Sequence, residues 1–310
     1  MSKKTEAVAA ARGAAKGSGS HLTKQARMST MERVVVFLHD HCYQISGVRG
    51  LREKHIALYV EARKKNGLSV RTLQNEMSHI RETIRAVGRH QAAESPTISN
   101  KALEIYGSCR DGTKVAATNE EFLEALAIAE QIDDGLAAAL KLQRWLGLRG
   151  EESVCAGASL RTWEKDLIAK KQVVVIYGTK GGRSRQTKPA DQEMALAAVR
   201  EALAVVAKRG DRMIDRPTLK SAMKWYTNTM HRKITEQLGI QAHALRYAYA
   251  CDMMDLYQAE GFSQKEAEAL TSIDLGHGDG RGRYVQKVYA RVRQGTPEAM
   301  SCNVAKPASN

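Results

Sequence analysis

The sequence lacks most of the short motifs by which enzymes bind nucleotides and metal ions. It contains no G-x-x-x-x-G-K-[ST] phosphate loop, no glycine fingerprint of a dinucleotide-binding fold, no H-E-x-x-H pair and no EF-hand loop. These absences weigh against ATP-dependent, dinucleotide-dependent and zinc-dependent chemistry. We therefore expect an activity that uses no cofactor and no metal.

Cysteines and long apolar runs are also scarce. The five cysteines among 310 residues are scattered and form neither C-x-x-C pairs nor a zinc-like cluster with histidine. No stretch approaches the roughly 18 apolar residues of a membrane span, and the N-terminus lacks the apolar core of a signal peptide. We expect a reduced, cytoplasmic chain with no membrane contact.

Positive charge is abundant and unevenly distributed. The chain has 48 Lys and Arg against 34 Asp and Glu, a formal net charge of +14. Residues 1–117 hold 20 basic and 10 acidic side chains, whereas residues 118–310 hold 28 and 24. A basic N-terminal half predicts a polyanionic partner such as nucleic acid.

The length predicts about two domains, and the first is expected to be a small helical bundle. Residues 1–27, rich in Ala, Gly, Ser and Lys, are interpreted as a flexible basic arm. In residues 28–112, a capping-box pattern at Ser29 indicates a first helix, and Ser69 caps a third helix whose apolar residues recur every three or four positions.

Residues 113–296 are expected to form a second, mainly α domain with one small antiparallel sheet. Thr118 and Glu121 offer a capping box, and the segment KKQVVVIYGTKGGRSRQTKP places β-branched residues before a Gly-Gly turn, which predicts a β-hairpin. The tail, residues 297–310, fits either a segment that docks on a neighbouring protomer or a disordered end.

A dispersed series of basic and phenolic groups carries the functional signal. Each has an ordinary structural explanation on its own, such as a solvated lysine at a hairpin tip. In order, however, the segments LGLRGEE, GTKGGR, HALR, LGHG and KVYARV resemble the tyrosine recombinases, the phage-integrase-like family, and the resemblance covers about residues 28–295. The candidate residues in these segments are Arg149, Lys180, His243, Arg246, His277 and Tyr289.

The resemblance implies a SAM-like core-binding domain followed by a tyrosine recombinase catalytic domain, with Arg149 and Arg246 holding the scissile phosphate. A guanidinium suits this role because it is permanently charged and binds two phosphate oxygens at once. Lys180 would protonate the leaving 5′ oxygen. Glu152 would brace the basic cluster from behind.

The resemblance further implies that Tyr289 is the nucleophile, His243 assists proton transfer at that tyrosine, and His277 donates a hydrogen bond to a phosphate oxygen. A free phenol has a pKa near 10, about three units above neutrality, so it needs neighbouring cations and a base. The segment HGDGRGRY makes the gap after His277 somewhat long, and Tyr284 therefore stays open as the alternative nucleophile. Tyr289 is preferred because V-Y-A-R-V resembles the family's nucleophile helix, in which Val288 and Val292 would anchor one face.

Basic residues other than the six candidates are also expected to contact DNA, although a solvated charged face is the alternative interpretation. In the first domain and in the hairpin these residues are Arg63, Lys64, Lys65, Arg71, Arg81, Arg85, Arg89, Arg183 and Arg185.

The resulting hypothesis is a site-specific recombinase for integration or excision of a mobile element, working without metal or ATP. It would bind a specific duplex site in the nucleoid as a homotetramer, with an accessory protein able to set direction. The alternatives are a type IB topoisomerase-like enzyme, a DNA-binding protein without catalysis and, less favoured, a metal-dependent transposase.

Overall fold

The computed structural model describes residues 2–107, 115–278, 280 and 282–289, and of Gln286 only the backbone. The chain divides into two compact units, Met1–Cys109 and Arg110–Asn310. Within the described ranges, no helix has both the length and the apolar character that crossing a membrane requires.

The first unit is built from helices around its own apolar core. In α4, the residues Leu73, Met77, Ile80 and Ile84 recur at helical spacing and are all buried. Ser69 caps α4 by accepting a hydrogen bond from a main-chain N–H, as predicted. The helices are α1 (Lys3–Ala14), α2 (His21–Asp40), α3 (Glu53–Lys65), α4 (Val70–Ala86) and α5 (His90–Ala93), with 3-10 turns at Val48–Gly50 and Pro96–Ile98.

The prediction of a flexible arm over residues 1–27 is wrong. α1 packs against α2, and Ala7, Ala11 and Ala15 are almost fully buried in the core of the unit. Alanine offers little apolar area, but its small side chain lets two helices approach closely. The predicted helix start at Ser29 is also wrong, because α2 begins eight residues earlier behind the capping side chain of Ser20.

The second unit is mainly helical, with a core that includes Leu140, Trp163 and Val199. The predicted capping box at Thr118 and Glu121 is confirmed. Its helices are α6 (Asn119–Ile132), α7 (Asp134–Leu146), α8 (Gly150–Val154), α9 (Leu160–Ile168), α10 (Gln192–Lys208), α11 (Leu219–Thr229), α12 (Glu236–Leu238), α13 (Ala242–Ala259), α14 (Gln264–Asp274) and α15 (Gly282–Val288), with a 3-10 turn at Ala156–Ser159 and a π-helical turn at Met230–Thr235.

The predicted hairpin is confirmed as an antiparallel pair of β1 (Val173–Val175) and β2 (Arg185–Thr187). Its register places Val173 opposite Thr187 and Val175 opposite Arg185, and these four side chains are buried. A 3-10 turn at Lys180–Gly182 lies at the tip. The hairpin therefore turns one face, including an arginine, into the protein.

Candidate active site

A buried carboxylate, Glu152, lies at the centre of three arginines. Its Oε1 atom accepts a 2.5 Å hydrogen bond from Arg149, and its Oε2 atom accepts a 2.9 Å bond from Arg185. Oε2 also lies 3.9 Å from the guanidinium of Arg246. The side chains of Glu152 and Arg246 are wholly buried, whereas 21% of the Arg149 side chain is exposed. These four groups carry a net positive charge, with Arg149 nearest to solvent.

The guanidiniums of Arg149 and Arg246 converge on one main-chain oxygen. An Nη2 atom of each donates to the carbonyl of Leu275, and the bond from Arg149 is 3.3 Å long. Arg185 donates to the preceding carbonyl, that of Asp274. The three arginines therefore hold the turn that carries the L-G-H segment.

Gly147 shapes the chain so that Arg149 enters this cluster. It ends α7 with a φ of 59°, in the left-handed region that favours glycine. A Cβ atom at this position would lie 2.3 Å from the ring of Tyr249, so a larger residue does not fit. The carbonyl of Gly147 accepts hydrogen bonds from Arg185, at 3.1 Å, and from Arg246.

Burial and the neighbouring charges shift the pKa values of Glu152 and Arg246 in the cluster. Burial alone would raise the pKa of Glu152, but Arg185, Arg246 and Arg149 outweigh burial and lower it to about 2. Burial, and then the positive charges of Arg185 and Arg149, lower the pKa of Arg246 to about 10. Both groups are still ionised at neutral pH, so the site keeps an excess of positive charge suited to an anionic group.

A phenol and an imidazole meet beside the arginine cluster. The Nε2 atom of His277 lies 2.9 Å from the hydroxyl oxygen of Tyr289, whose side chain is buried. The Tyr289 ring lies 4.7 Å from the ring of Tyr247 and 6.2 Å from that of His243, measured between centroids. Burial, and then the neighbouring Tyr289 and Tyr284, raise the pKa of Tyr247 to about 12.

Tyr284 lies near the same imidazole but is more exposed. Its ring centroid is 5.2 Å from that of His277 and 6.1 Å from that of Tyr289. It is 42% exposed, compared with 3% for Tyr289. Both candidate nucleophiles therefore lie beside His277, and the 2.9 Å hydrogen bond joins His277 to Tyr289.

Lys180 lies at the tip of the hairpin, and its side chain is exposed. The connection between β1 and the tip packs closely against α8, because a Cβ at Gly178 would lie 2.6 Å from the carbonyl oxygen of Glu151. Across the ranges that the structure describes, no hydrogen bond or ion pair joins the Lys180 side chain to the arginine cluster. Strand β2 therefore reaches the cluster through Arg185, whereas Lys180 at the tip is exposed to solvent.

Most basic residues expected on the DNA-binding face of the first unit are bonded within that unit. Arg71 is exposed on α4. Arg183, at the hairpin, is exposed as well. The bonded residues are Arg63 with Glu76 at 3.0 Å, Lys64 with Glu104 at 2.9 Å, Lys65 with Glu61 at 3.0 Å, Arg81 with the Ile98 carbonyl at 2.6 Å, Arg85 with Glu94 at 2.5 Å, and Arg89 with the Leu51 carbonyl at 2.6 Å.

Arg185 is buried, which corrects the expectation that it contacts DNA. Only 8% of the residue is exposed, and its polar contacts run to Glu152 and to main-chain carbonyls. An arginine tolerates burial when a carboxylate compensates its charge. Its place opposite Val175, on the inward side of an alternating strand, is the signal that identifies it as a buried residue.

Asp274 is a second buried carboxylate at this site, and no motif in the sequence marks it. It accepts a 2.7 Å hydrogen bond from the hydroxyl of Tyr257 and a 3.1 Å bond from the main-chain N–H of Lys188. Burial raises its pKa to about 6. Over the described part of the chain, no group of three or more His, Cys, Asp and Glu side chains is arranged to hold a metal ion.

Two protein-family models match the sequence. The model described as Integrase matches residues 104–252, and the model described as Phage integrase, N-terminal, matches residues 1–93. A search of curated proteins gives no match. Together the two family models span most of the chain and both of its units.

Several solved structures share the fold at low sequence identity. The Tn1549 transposon integrase in complex with transposon right end DNA has a TM-score of 0.57 and 14% identity over 99% of this chain and 100% of that chain. The lambda integrase tetramer bound to a Holliday junction has a TM-score of 0.56 and 16% identity over 92% and 77% of the two chains. The XerH site-specific recombinase bound to palindromic difH substrate has a TM-score of 0.54 and 15% identity over 91% and 80%. The predicted fold class, two mainly α domains with one small antiparallel sheet, is confirmed.

Proposed function

This chain belongs to the phage-integrase family of tyrosine recombinases, and we propose that it is a site-specific DNA recombinase of the integrase type. It would cleave and rejoin duplex DNA through a 3′-phosphotyrosyl intermediate during integration or excision of a mobile element. The observation that carries the proposal is the convergence of Arg149 and Arg246 on the Leu275 carbonyl, two residues before a histidine that is hydrogen-bonded to a tyrosine.

We propose that Arg149 and Arg246 hold the scissile phosphate. Their Nη2 atoms meet at one carbonyl oxygen, so the two guanidiniums lie close enough together to bind oxygens of the same phosphate. Glu152 orients both side chains while leaving the cluster positive. Fixed positive charge stabilises the extra negative charge of a pentavalent transition state more than that of the ground-state phosphodiester.

Tyr289 would be the nucleophile. Its hydroxyl oxygen attacks phosphorus and loses its proton, with His243 assisting the transfer. In this structure the phenol is buried and bonded to His277, so it must turn toward the phosphate as DNA binds. His277 would then lose its hydrogen bond to the Tyr289 hydroxyl and donate one to a non-bridging phosphate oxygen instead.

The leaving group would be the 5′ oxygen of the next nucleotide. As the bond from Tyr289 to phosphorus forms, the bond from phosphorus to the 5′ oxygen breaks, and Lys180 donates the proton that makes this oxygen a hydroxyl. The phosphodiester between Tyr289 and DNA replaces a DNA phosphodiester of similar energy. The strand can therefore be rejoined without ATP or a metal ion. A 5′ hydroxyl from a partner strand reverses the step and completes the exchange.

Exposed basic residues of both units would hold the DNA backbone. In the second unit, one face of α11 and the following π-helical turn is exposed, while Ala222, Tyr226 and Met230 on the opposite face are buried. Together with Arg71 and Arg183, this face would contact phosphates. The exposed polar and basic residues of the face are Lys220, Lys224, Thr227, Asn228, His231, Arg232 and Lys233.

The reaction requires two duplex sites to be brought together. We propose a homotetramer that exchanges strands in pairs through a four-way junction, in the nucleoid of the cytoplasm, with an accessory protein setting its direction. The lambda integrase structure named above is a tetramer on a Holliday junction, which supports this assembly. Both matching family models describe integrases, which favours recombination over topoisomerase activity or binding without catalysis.

Covalent capture tests the proposal and selects the DNA site in the same experiment. The protein is mixed with a pool of nicked duplexes of randomised sequence, in EDTA and without ATP, and protein-linked DNA is isolated under denaturing conditions and sequenced. The proposal expects adducts enriched in one sequence with wild type and Tyr284→Phe, and none with Tyr289→Phe, which should still bind the selected duplex. Wild type that forms no adduct with any duplex would overturn the proposal.

A further inference from the structure

Arg185 connects three parts of the second unit that are distant in the sequence. It extends from β2 of the hairpin and donates to Glu152 in α8 at 2.9 Å, to the Gly147 carbonyl after α7 at 3.1 Å, and to the Asp274 carbonyl at the end of α14. Each of the three acceptors is, or lies beside, a group that binds one of the other two arginines. Glu152 also accepts from Arg149, the Gly147 carbonyl also accepts from Arg246, and the Leu275 carbonyl, next to Asp274, accepts from both. A single buried guanidinium therefore links the hairpin to the arginine cluster.

The L-G-H turn also packs directly on the stem of Arg185. Gly276 has a φ of 68°, and a Cβ atom there would lie 2.5 Å from the Cδ atom of Arg185. The next residue, His277, is the one that is hydrogen-bonded to Tyr289. The position of the Arg185 side chain thus limits where His277 can lie.

We propose that Arg185 is a positioning residue that holds the L-G-H turn and Glu152 in register with the hairpin, so that the two phosphate-binding arginines and His277 face one phosphate. This inference rests on the function proposed above and assigns Arg185 no contact with DNA. Arg185 lies five residues after Lys180 in the same hairpin, so it also anchors the hairpin that carries the proposed general acid.

The three bonds require an arginine. A guanidinium offers five N–H donors in a fixed plane, whereas a lysine ammonium is a compact charge on a flexible stem. Lysine at this position keeps the charge opposite Glu152 but cannot reach all three acceptors with the same geometry. Arg185→Lys therefore keeps the positive charge at this position and removes the planar set of donors, so it tests the geometry alone.

Removing the charge has a separate consequence for Glu152. The charged groups that face this carboxylate are Arg149 at the start of α8, Arg185 in β2 and Arg246 in α13, and Arg185 is the largest of the influences that lower the pKa of Glu152. Arg185→Gln should raise that pKa. Protonation of Glu152, and with it the loss of cleavage in acid, should then begin at a higher pH.

The experiment uses the full chain and the nicked duplex selected by covalent capture. It compares wild type, Arg185→Lys, Arg185→Gln and the matched control Arg161→Gln, an exposed arginine of α9. Three quantities are measured: the affinity with its dependence on salt, the single-turnover rate of adduct formation, and the pH dependence of that rate. Thermal unfolding checks that each variant is folded.

We expect Arg185→Lys to bind DNA with wild-type affinity and salt dependence and to form adduct about 100-fold more slowly, because a small misplacement at a reactive centre has an effect of this size. The acid limb of the Arg185→Gln rate profile should move up by about one pH unit or more. It should not move when Glu152→Gln is already present. The control should match wild type throughout.

Wild-type cleavage by Arg185→Lys would overturn the inference. So would a weaker affinity with a smaller salt dependence, which marks a phosphate contact, or an Arg185→Lys protein that is unfolded, which marks a role in folding. Absence of any adduct with wild type would instead overturn the proposed function.

Discussion

The hydroxyl oxygen of Tyr289 lies 2.9 Å from the Nε2 atom of His277. Leu275, two residues before His277, has the carbonyl that accepts hydrogen bonds from both Arg149 and Arg246. The proposed nucleophile and the proposed phosphate-binding groups are therefore connected through one short turn. Any shift of this turn changes both the position of the phenol and the geometry of the anion site.

The buried Glu152 should stabilise the fold in a pH-dependent way. Its pKa of about 2 lies below the ordinary carboxylate value, so its contribution is full above about pH 4.5 and is lost as the pH falls toward 2. We expect Glu152→Gln to lower the free energy of unfolding by roughly 3 kcal/mol at pH 7, because three guanidiniums lose their counter-ion.

Urea unfolding of both proteins at a series of pH values measures this effect. The gap between wild type and Glu152→Gln should narrow as the pH falls from 4.5 to 3. A gap that stays constant over that range would mean that the carboxylate is not held ionised by the arginines.

Lys180 should matter only for the departure of the 5′ oxygen. Lys180→Ala is expected to slow cleavage by about 10²- to 10⁴-fold, the usual contribution of a general acid. Replacing the bridging 5′ oxygen of the substrate by sulfur should restore most of the rate, because a thiolate leaves without being protonated. Adduct formation on the two substrates is the measurement, and an equal loss on both would assign Lys180 another role.

The exposed face of α11 should contribute affinity that depends on salt. We expect Lys224→Ala to weaken DNA binding and to reduce the slope of log affinity against log salt by about 0.9, the value for one phosphate contact. Lys208→Ala, at the exposed end of α10, is the matched control and should leave the slope unchanged. Equal slopes for both variants and wild type would remove this face from the DNA interface.

Helix α1 should be required for the stability of the first unit. Ala11 is fully buried and Ala9 is exposed on the same helix. Ala11→Asp places an unpaired carboxylate in the core, so its unfolding temperature should fall by several degrees, whereas Ala9→Asp should have little effect. If both variants melted like wild type, the N-terminal segment would be the flexible arm that its composition suggests.

Local sequence patterns predicted the elements whose side chains repeat with the period of the element. The apolar residues of α4 recur at helical spacing, and the hairpin combines β-branched residues with glycines at its turn. The pattern failed for α1, because a hydrophobic pattern gives buried alanines little weight. It failed at Ser29 because a capping sequence also occurs in the interior of α2.

The candidate site could be predicted only as far as the family resemblance reached. Arg149, Glu152 and Arg246 lie together, as the resemblance implied. The burial of Arg185 was missed because its partner Glu152 is 33 residues away in the sequence and belongs to another element. The internal hydrogen bonds of Arg81 and Arg89 were missed for the same reason. Their acceptors, the carbonyls of Ile98 and Leu51, belong to other segments of the first unit.

The identity of the tyrosine that becomes linked to DNA tests the central claim most directly. Trypsin separates the two candidates, because it cleaves after Arg283, Lys287 and Arg291 and leaves Tyr284 in YVQK and Tyr289 in VYAR. Mass spectrometry of the nuclease-trimmed adduct should find the nucleotide on VYAR. A nucleotide on YVQK, or on a peptide with neither tyrosine, would contradict the assignment of Tyr289 as the nucleophile.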